Sequence, residues 1–322
     1  MQPPGDPWDG PYDADVLILA LDRAEETVAA IGSALAQTGV SRRVIVLDQG
    51  SQPAALARIA AAVAGRTDVV LVRAERNLGV AGGRNRAAAL GQGRVIVALD
   101  NDAEFADATT LARAVAAMDE APALGAIGFR LAEYTTGADD LSSWGYPRAL
   151  LARAADRFEA ATFVGAGHAI RRAAWDAAGG YDDALFFCWE EFDFCLRAIA
   201  EGWRVGYRGD IVVRHKVSAE QRVAWSGMRW FYFVRNRIYI ARKWGAGWGR
   251  LLPRIVGYAV KGARAGALVP VLRGAAAGMR LAVTRRTMPV AMRTYLWRAD
   301  GIHRGGWLTR LRNEVLTRPA GR

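Results

Sequence analysis

Two aspartates, Asp100 and Asp102, follow the apolar run "RVIVAL" and flank Asn101. Carboxylates at positions i and i+2 beyond a buried strand suit Mg²⁺ or Mn²⁺, ions that complete their coordination shell with water and substrate phosphate. The same acids can instead cap a following helix, with Asp102 or Asp107 as the capping residue. The pair alone therefore indicates a metal site without excluding a cap.

A second group of acids lies in the segment "FFCWEEFDFCLRAIAEG", whose apolar residues recur at helical spacing. Glu190, Glu191 and Asp193 crowd the first turn of the predicted helix, beside the aromatic Trp189. The helix dipole and a pair between Asp193 and Arg197 account for one or two of these acids. The remaining excess indicates a pocket wall, where a carboxylate can act as a general base.

The elements that position these acids alternate along the first 130 residues, where short apolar runs are separated by helical patterns. This alternation is typical of a parallel sheet covered by helices. Strands are predicted at 15–20, 43–48, 68–72, 94–100 and 125–131. Because ligands of such α/β domains bind outside the carboxyl ends of the strands, the residues after each run are the first binding candidates.

Two common nucleotide-binding loops are not found in the sequence. No G-x-G-x-x-G follows the first strand and no G-x-x-x-x-G-K-[ST] occurs, which disfavours a Rossmann dinucleotide fold and a P-loop. The glycines of "GVAGGRN" open a helix, where they either bind phosphate or permit close packing. The two cysteines, Cys188 and Cys195, are predicted to share one helical face in the core rather than to form a disulfide or a metal site.

Length and composition indicate a folded protein, since 52% of the 322 residues are hydrophobic. The best late candidate for a membrane span is interrupted by Lys261 and Arg264. Residues 1–14 are acidic and rich in Pro and Gly, which predicts a flexible lead-in and not a secretory signal. We therefore expect a cytoplasmic protein.

Charge is distributed unevenly. From residue 222 onward the chain has 21 Arg and Lys but only two acids, a net charge of +19, while residues 1–221 carry −8. Basic residues interleaved with Trp, Tyr and Phe predict a helical region at 222–322 that either packs with its arginines in solvent or meets anionic lipid through residues 222–300. Nucleic acid is disfavoured because no nucleic-acid motif accompanies the charge. The location expected is cytoplasmic, with peripheral binding at the inner face of the plasma membrane.

Six segments, in order, resemble the family 2 glycosyltransferases with the GT-A fold, particularly their bacterial rhamnosyltransferase-like members. The resemblance covers residues 15–245, and its segments are "VLILALDRAEETVAAIGSALAQ", "VIVLDQGS", "RNLGVAGGRNRAAAL", "VIVALDND", "GAGHAIRRAAWDAAGGYDDALFFCWEEFDFCLRAIAEGWRVGY" and "IVVRHKVS". It implies an α/β fold with a mostly parallel central sheet flanked by helices. The catalytic domain is then expected at 15–221, followed by the basic helical extension.

The resemblance also implies a donor site for a nucleotide-diphosphate sugar, linked to UDP, dTDP or GDP. The implied donor-binding residues, with the pocket-wall residue Trp189, are Asp22, Asp48, Asn77, Gly79, Arg84, Asn85, Asp100, Gly165 and Gly167. The first-strand exit, Leu-Asp-Arg, departs from the family's usual Thr/Ser-x-Asn, which leaves the base contact of Asp22 open. His168, in the loop "GAGHAI", either contacts substrate or packs.

For catalysis the resemblance implies a divalent cation, Mg²⁺ or Mn²⁺, bound by Asp102 with Asp100 and His215. It implies that Glu191 occupies the position of the aspartate that serves as the catalytic base in the family. It also implies that the sugar is transferred with inversion to a hydroxyl acceptor, which is a cell-envelope polysaccharide, a lipid-linked acceptor or a natural product. A glutamate at 191 adds a methylene, so Glu190 remains an alternative base. A purely structural role for His215 also stays open.

Two other functions remain as alternatives. A sugar nucleotidyltransferase shares the architecture but needs a Gly-rich basic loop after the first strand, which "LALDRAEET" lacks. A non-catalytic nucleotide- or membrane-binding module is the second alternative. The enzyme hypothesis requires that the acids after the fourth strand and those opening the later helix meet in one cleft.

Overall fold

The structure, a computed structural model, describes residues 10–216 and 227–306. Residues 1–9 of the predicted lead-in lie outside this range. Tyr12 is already buried, and its hydroxyl donates a 2.6 Å hydrogen bond to Asp15. Within the described residues, the chain is therefore anchored to the domain from Tyr12 onward.

The described strands form one nine-stranded sheet. They are β1 (Ala14–Ala20), β2 (Arg42–Asp48), β3 (Val69–Arg73), β4 (Val95–Leu99), β5 (Ala103–Phe105), β6 (Leu124–Glu133), β7 (Arg157–Glu159), β8 (Gly167–Arg171) and β9 (Arg204–His215). The five predicted strands correspond to β1, β2, β3, β4 and β6.

The spatial order is β3-β2-β1-β4-β8-β6-β9-β5, and β7 also pairs with β9. All pairings among β1 to β4 are parallel, as predicted. Beyond β4 the direction changes, because β8 runs antiparallel to both β4 and β6, and β5 and β7 run antiparallel to β9. The prediction of a mostly parallel sheet thus describes one half of a sheet that is mixed as a whole.

The described part of the chain contains ten α-helices. They are α1 (Ala24–Leu35), α2 (Pro53–Val63), α3 (Gly79–Ala88), α4 (Thr110–Glu120), α5 (Arg172–Ala178), α6 (Glu190–Ala200), α7 (Gly227–Lys243), α8 (Trp248–Arg264), α9 (Leu268–Arg280) and α10 (Val290–Ala299). Among the described residues, no helix is both long and apolar enough to cross a bilayer.

Both faces of the sheet are buried. Along β1, Leu17 packs into one core with α3 and α6, whereas Val16 and Ile18 pack into a second core with α1 and α4. All three side chains are almost completely inaccessible. Since neighbouring residues of a strand point to opposite faces, a strand covered on both sides must be apolar throughout, which explains the continuous runs in the sequence.

The C-terminal helices pack on each other and on the sheet domain. Gly274 and Gly278 of α9 lie so close to α7 that a Cβ on either would come within 2.5 Å of a carbonyl oxygen, that of Phe231 or of Arg235. The Tyr295 hydroxyl of α10 lies 2.8 Å from the backbone nitrogen of β9 residue 205. The boundary predicted at 221/222 falls among residues 217–226, outside the described range.

The two cysteines differ from the prediction. Cys195 is buried in α6, but Cys188 precedes that helix in a loop, with a φ of 70°. They do not share a helical face, because the helix begins only at Glu190. Both are free thiols.

Candidate active site

Three possible metal ligands meet at the ends of β4 and β9. Asp100 and Asp102 follow β4, and His215 is the last residue of β9, where it pairs with Ala103 of β5. One ligand atom from each of Asp100, Asp102 and His215 lies within 4.8 Å of the other two. Strand pairing therefore delivers the histidine to the two aspartates from more than 110 residues away in sequence.

A buried carboxylate orients the histidine. His215 Nδ1 lies 2.9 Å from Asp140 Oδ2, which leaves Nε2 facing Asp102 Oδ1 at 3.4 Å. Burial disfavours the charged imidazole, but the hydrogen bonds to Asp102 and Asp140 outweigh burial and raise the pKa of His215 to about 10. A carboxylate behind an imidazole is the usual support for a metal-binding histidine.

The contacts of Asp102 show that it does not cap the following helix. Asp107, not Asp102, accepts the backbone N–H of Thr109 at the turn before α4. Asp102 instead accepts a 2.8 Å hydrogen bond from Arg23, besides facing His215. Burial opposes ionisation of Asp102, but His215 and Arg23 outweigh it and lower the pKa of this carboxyl.

A buried arginine joins the two acidic segments. Arg84 of α3 is 3% exposed and donates to Asp100 Oδ1 at 2.8 Å and to Glu191 Oε1 at 3.1 Å. It also donates to the carbonyl oxygen of Gly165 at 2.8 Å. Burial opposes the charge of Arg84, but Asp100 and the acids of α6 outweigh burial and raise its pKa. The acids after β4 and those opening α6 thus face each other across one guanidinium.

Gly165 makes room for Glu191. A Cβ at position 165 would lie 2.4 Å from Glu191 Oε1, well inside van der Waals contact. The family resemblance implied that this glycine belongs to the donor site. The structure places it against the carboxylate that is the first candidate for the base, so any side chain here would displace that carboxylate.

The two glutamates that open α6 differ in environment. Glu190 is 3% exposed, and its Oε2 is buried without a hydrogen-bond partner. Burial raises the pKa of both carboxyls, and the charge of Glu191 raises that of Glu190 further; Arg84 opposes both increases, but of the two glutamates it donates a hydrogen bond only to Glu191. A general base must be ionised, so Glu191 is the better placed of the two.

A loop in an unusual conformation precedes these glutamates. Phe186, Cys188 and Trp189 have φ values of 60°, 70° and 74°, in a region that residues other than glycine rarely adopt. Gly79 packs on this loop, because a Cβ there would lie 2.2 Å from the carbonyl oxygen of Phe186. The glycines at the start of α3 therefore serve close packing at this point, one of the two roles considered for them.

The same loop is held from the C-terminal side. The Trp189 indole donates to the carbonyl oxygen of Phe233 in α7 at 3.0 Å, and the Arg237 guanidinium lies 5.1 Å from the Trp189 ring. Asp193 of α6 accepts from Arg197, as the sequence predicted, at 2.8 Å and also from Lys243 of α7 at 3.0 Å. The wall containing the two glutamates is thus supported by α7.

Two predicted nucleotide-binding acids lie together at the ends of β1 and β2. The Ser51 hydroxyl accepts from the backbone N–H of Asp22 at 2.7 Å, and the Ser51 N–H donates to Asp48 at 3.2 Å. Asp48 is fully buried, whereas Asp22 is exposed and has a φ of 56°. Arg23, the next residue, connects this pair to Asp102.

Two predicted donor-binding amides make contacts within the protein. Asn77 accepts the backbone N–H of Gly79 at 2.8 Å. Asn85 accepts the N–H of Tyr181 at 2.8 Å and donates to its carbonyl oxygen at 2.9 Å. These contacts fix the start of α3 and tie it to the segment that leads to α6.

Two further residues of the "GAGHAI" segment belong to the core. Gly167 lies in β8 against Phe129 and Val213, which a Cβ would approach to 3.3 and 3.1 Å. His168 is 1% exposed and lies 2.9 Å from the Tyr181 hydroxyl. Burial, with the nearby charge of Arg84, lowers the pKa of His168 far below its ordinary value. His168 is therefore a neutral packing residue.

Sequence reasoning gave no role to two residues of the site. Arg23 had a usable signal, because it belongs to the exit of the first strand and so to the first binding candidates, but its contact with Asp102 was not predicted. Asp140 had none, since it lies in a loop 75 residues from the histidine that it orients.

Comparisons with known proteins bear on the family and the fold of the chain. The sequence model described as Glycosyl transferase family 2 matches residues 15–178. Succinoglycan biosynthesis protein ExoO of Rhizobium meliloti (strain 1021) is 40% identical over 90 residues, which are 28% of this chain and 25% of that protein. The aligned part is thus a quarter of the length of that relative.

Similar solved structures share the fold at low identity. GalNAc-T7, solved with UDP, GalNAc and Mn²⁺, has a TM-score of 0.63 at 15% identity, over 81% of this chain and 52% of that one. The mannosyltransferase PcManGT from Pyrobaculum calidifontis, in complex with GDP-Man and Mn²⁺, has a TM-score of 0.56 at 16% identity, over 97% and 89%. The fold is that of the GT-A glycosyltransferases. With half of the chain matched by its sequence model, the protein belongs to glycosyltransferase family 2.

Proposed function

We propose that the protein is an inverting, metal-dependent glycosyltransferase that moves a sugar from a nucleotide-diphosphate donor to a hydroxyl acceptor. The observation that carries the proposal is the buried Arg84, which brings Asp100 and Glu191 onto one guanidinium. A group that binds the leaving diphosphate and a group that deprotonates the acceptor must lie on either side of one anomeric carbon. The arrangement of these acids supports that requirement.

The donor nucleotide is assigned to the edge formed by β1 and β2. Asp48 and Asp22 lie there, and Arg23 leads from them to Asp102. The structures of the two solved relatives contain UDP and GDP-Man. A first donor panel therefore contains UDP- and GDP-sugars, with dTDP-deoxyhexoses because of the resemblance to rhamnosyltransferase-like proteins.

The donor set Asp100, Asp102 and His215 fits a Mn²⁺ or Mg²⁺ ion. Carboxylates are the ligands these ions prefer, and one supported imidazole is compatible with Mn²⁺ once the ion displaces the proton that the raised pKa of His215 otherwise retains. The cation would neutralise the charge that develops on the diphosphate leaving group. Arg23 contributes positive charge at the same point, since it already pairs with Asp102.

The transfer itself is assigned to Glu191. Its carboxylate takes the proton of the acceptor hydroxyl while that oxygen attacks the anomeric carbon from the face opposite the diphosphate, so the configuration inverts. Arg84 holds this carboxylate in place and favours its charged form. Glu190 is buried beside it, and its raised pKa favours the neutral acid.

A donor panel with and without Mn²⁺ tests the function. Thermal shift identifies the nucleotide sugar that stabilises the protein only with metal, and NMR then follows transfer to simple hydroxyl acceptors and the configuration of the product. We expect metal-dependent stabilisation by one nucleotide class and an inverted product. If the donor stabilises the protein but neither sugar transfer nor slow donor hydrolysis is detected, the non-catalytic module is favoured. If a sugar phosphate and a nucleoside triphosphate react with release of pyrophosphate, the nucleotidyltransferase is favoured.

We also propose that the protein lies on an anionic membrane, at the inner face of the plasma membrane, with α8 as its contact. Trp248, Leu252 and Val256 recur every four residues on α8 and are 66%, 57% and 53% exposed. At about 3.6 residues per turn, the basic residues of α8 lie on the opposite side of the helix from this apolar stripe. They are Arg250, Arg254, Lys261 and Arg264. Residues 227–299 contain no acid, so charge favours an anionic partner over a second copy of this basic region.

Vesicle flotation tests the membrane contact. The chain should float with vesicles containing phosphatidylglycerol at low salt and much less with phosphatidylcholine alone. The double substitution Trp248→Glu and Leu252→Glu should abolish flotation. Trp297→Glu should not, although Trp297 is 58% exposed on α10. Equal flotation of the α8 variant, or binding to a polyanion but not to vesicles, would contradict the proposal.

A further inference from the structure

A single amide of the C-terminal region holds the loop that precedes the candidate base. Asn236 of α7 is completely buried, and its Nδ2 lies within hydrogen-bond distance of three loop carbonyl oxygens. These oxygens belong to Leu185 at 2.9 Å, Phe187 at 2.8 Å and Cys188 at 2.8 Å. Three oxygens of one short loop therefore converge on one donor group.

The orientation of that amide is itself fixed. Arg235 Nε donates to Asn236 Oδ1 at 2.8 Å, so the nitrogen of the amide must face the loop. The Arg235 guanidinium also donates directly to the carbonyl oxygen of Leu185 at 2.8 Å. The N–H groups of Asn236 therefore point at the loop, whereas an aspartate of the same shape would have no N–H to donate.

The loop needs such support. Phe186, Cys188 and Trp189 have positive φ values, and backbones of this kind persist only where the surroundings determine them. Carbonyl oxygens that converge also repel one another unless a donor lies between them. Glu190 and Glu191 follow directly, so the direction of the first turn of α6 depends on the conformation of this loop.

We propose that Asn236 is a positioning residue for the transfer reaction, acting through the 185–189 loop on the carboxylate of Glu191. The inference rests on the proposed function, in which Glu191 is the base. The hydrogen bonds of Asn236 go to Arg235 and to the loop and not to the strand-end acids or Arg84, so we expect its effect on the transfer step and not on donor binding. The family-matched segment ends at residue 178, and this assignment comes from packing between α7 and the loop.

The test compares Asn236→Asp with wild type in the full chain. Aspartate keeps the shape but has no N–H to donate, so it places an additional oxygen among the three carbonyl oxygens. We expect kcat to fall ~10- to 100-fold, as for a misplaced catalytic group, with the donor KM within about two-fold of wild type. Hydrogen–deuterium exchange of the amides of residues 185–191 should increase, whether or not an acceptor is known.

Arg242→Ala is the matched control. Arg242 lies on the same helix and donates to two carbonyl oxygens, but these belong to Gly278 and Leu281 at the end of α9. This variant should lower thermal stability while leaving kcat and exchange in the loop near wild type. If Asn236→Asp does not fold, Arg235→Ala provides a milder change to the hydrogen bonds that hold the 185–189 loop. It should show the same changes in kcat and exchange to a smaller extent.

The outcomes separate the inference from the function on which it rests. If the wild-type chain has no transferase activity, the proposed function is wrong. Hydrogen–deuterium exchange of the loop amides would still show whether Asn236 holds the loop. The inference is overturned if a folded Asn236→Asp chain keeps wild-type kcat, if its loop amides exchange at the wild-type rate, or if Arg242→Ala lowers kcat equally.

Discussion

The two halves of the candidate site are built differently. The donor half consists of residues at the ends of parallel strands, such as Asp48, the last residue of β2, and Asp100, which follows β4, and the sheet itself fixes their positions. The base half consists of Glu190 and Glu191, which follow a loop with positive φ values, and Glu191 lies against Gly165. Strand pairing positions the first half, whereas side chains from several helices position the second. Arg84 is the contact between them.

The largest effect expected from this difference is at Asp102, which serves the donor half. Asp102→Asn should remove the metal-dependent part of donor binding and lower transfer by ~10³-fold or more, since charge neutralisation of the leaving group is lost. Thermal shift with donor and Mn²⁺, followed by transfer assays, measures both effects.

Asp107→Asn is the control for this substitution. Asp107 is a neighbouring acid whose partners are Thr109 and Arg113 rather than the candidate site. Its loss should cost some stability and leave metal-dependent donor binding intact. Equal loss of donor binding in both variants would remove the assignment of Asp102.

Glu191→Gln should separate the two halves. The amide keeps the size of the side chain but cannot accept the proton, so transfer should fall by ~10²- to 10⁴-fold while donor affinity stays near wild type. Isothermal titration with the donor and initial transfer rates make the comparison.

Glu190→Gln is the paired variant. Because the raised pKa of Glu190 favours the neutral acid, replacement by the neutral amide should have a small effect on transfer. If Glu190→Gln abolishes transfer and Glu191→Gln does not, Glu190 is the base.

The same contrast explains how much could be predicted from sequence. Asp48, Asp100 and Asp102 were found because a buried strand reads as a continuous apolar run, and its end is visible in the sequence. The orientation of His215 by Asp140 could not be found, because it depends on where a long loop returns. The antiparallel strand β8 was missed for a related reason: its position between β4 and β6 is a property of the whole sheet.

Gly165→Ala tests the base half with one methyl group. The added Cβ would lie 2.4 Å from Glu191 Oε1 and must displace that carboxylate, so kcat should fall ~10- to 100-fold while the donor KM changes little. Steady-state kinetics with varied donor give the two constants.

Gly32→Ala is the control for the added methyl. Gly32 lies in α1, and a Cβ on this residue would meet nothing within 4 Å, so alanine should leave kcat unchanged and stabilise the helix by ~0.5–1 kcal/mol. A Gly165→Ala enzyme with wild-type kcat would show that Glu191 has room to move without loss of function.

The smallest effect concerns the pH dependence of transfer. Burial raises the pKa of Glu191 above its ordinary value of 4.5, although Arg84 opposes the increase. A base must be deprotonated, so kcat/KM should be lost as pH falls through a value above 4.5, and the acidic limb should therefore lie higher than for an exposed glutamate. The profile of kcat/KM between about pH 4 and 8 measures this limb, and the residual activity of Glu191→Gln should lack it. If the acidic limb lies at or below pH 4.5, Arg84 outweighs burial in setting the pKa of Glu191. The ionisation of the base would then be determined by its contact with the donor half and not by its own desolvation.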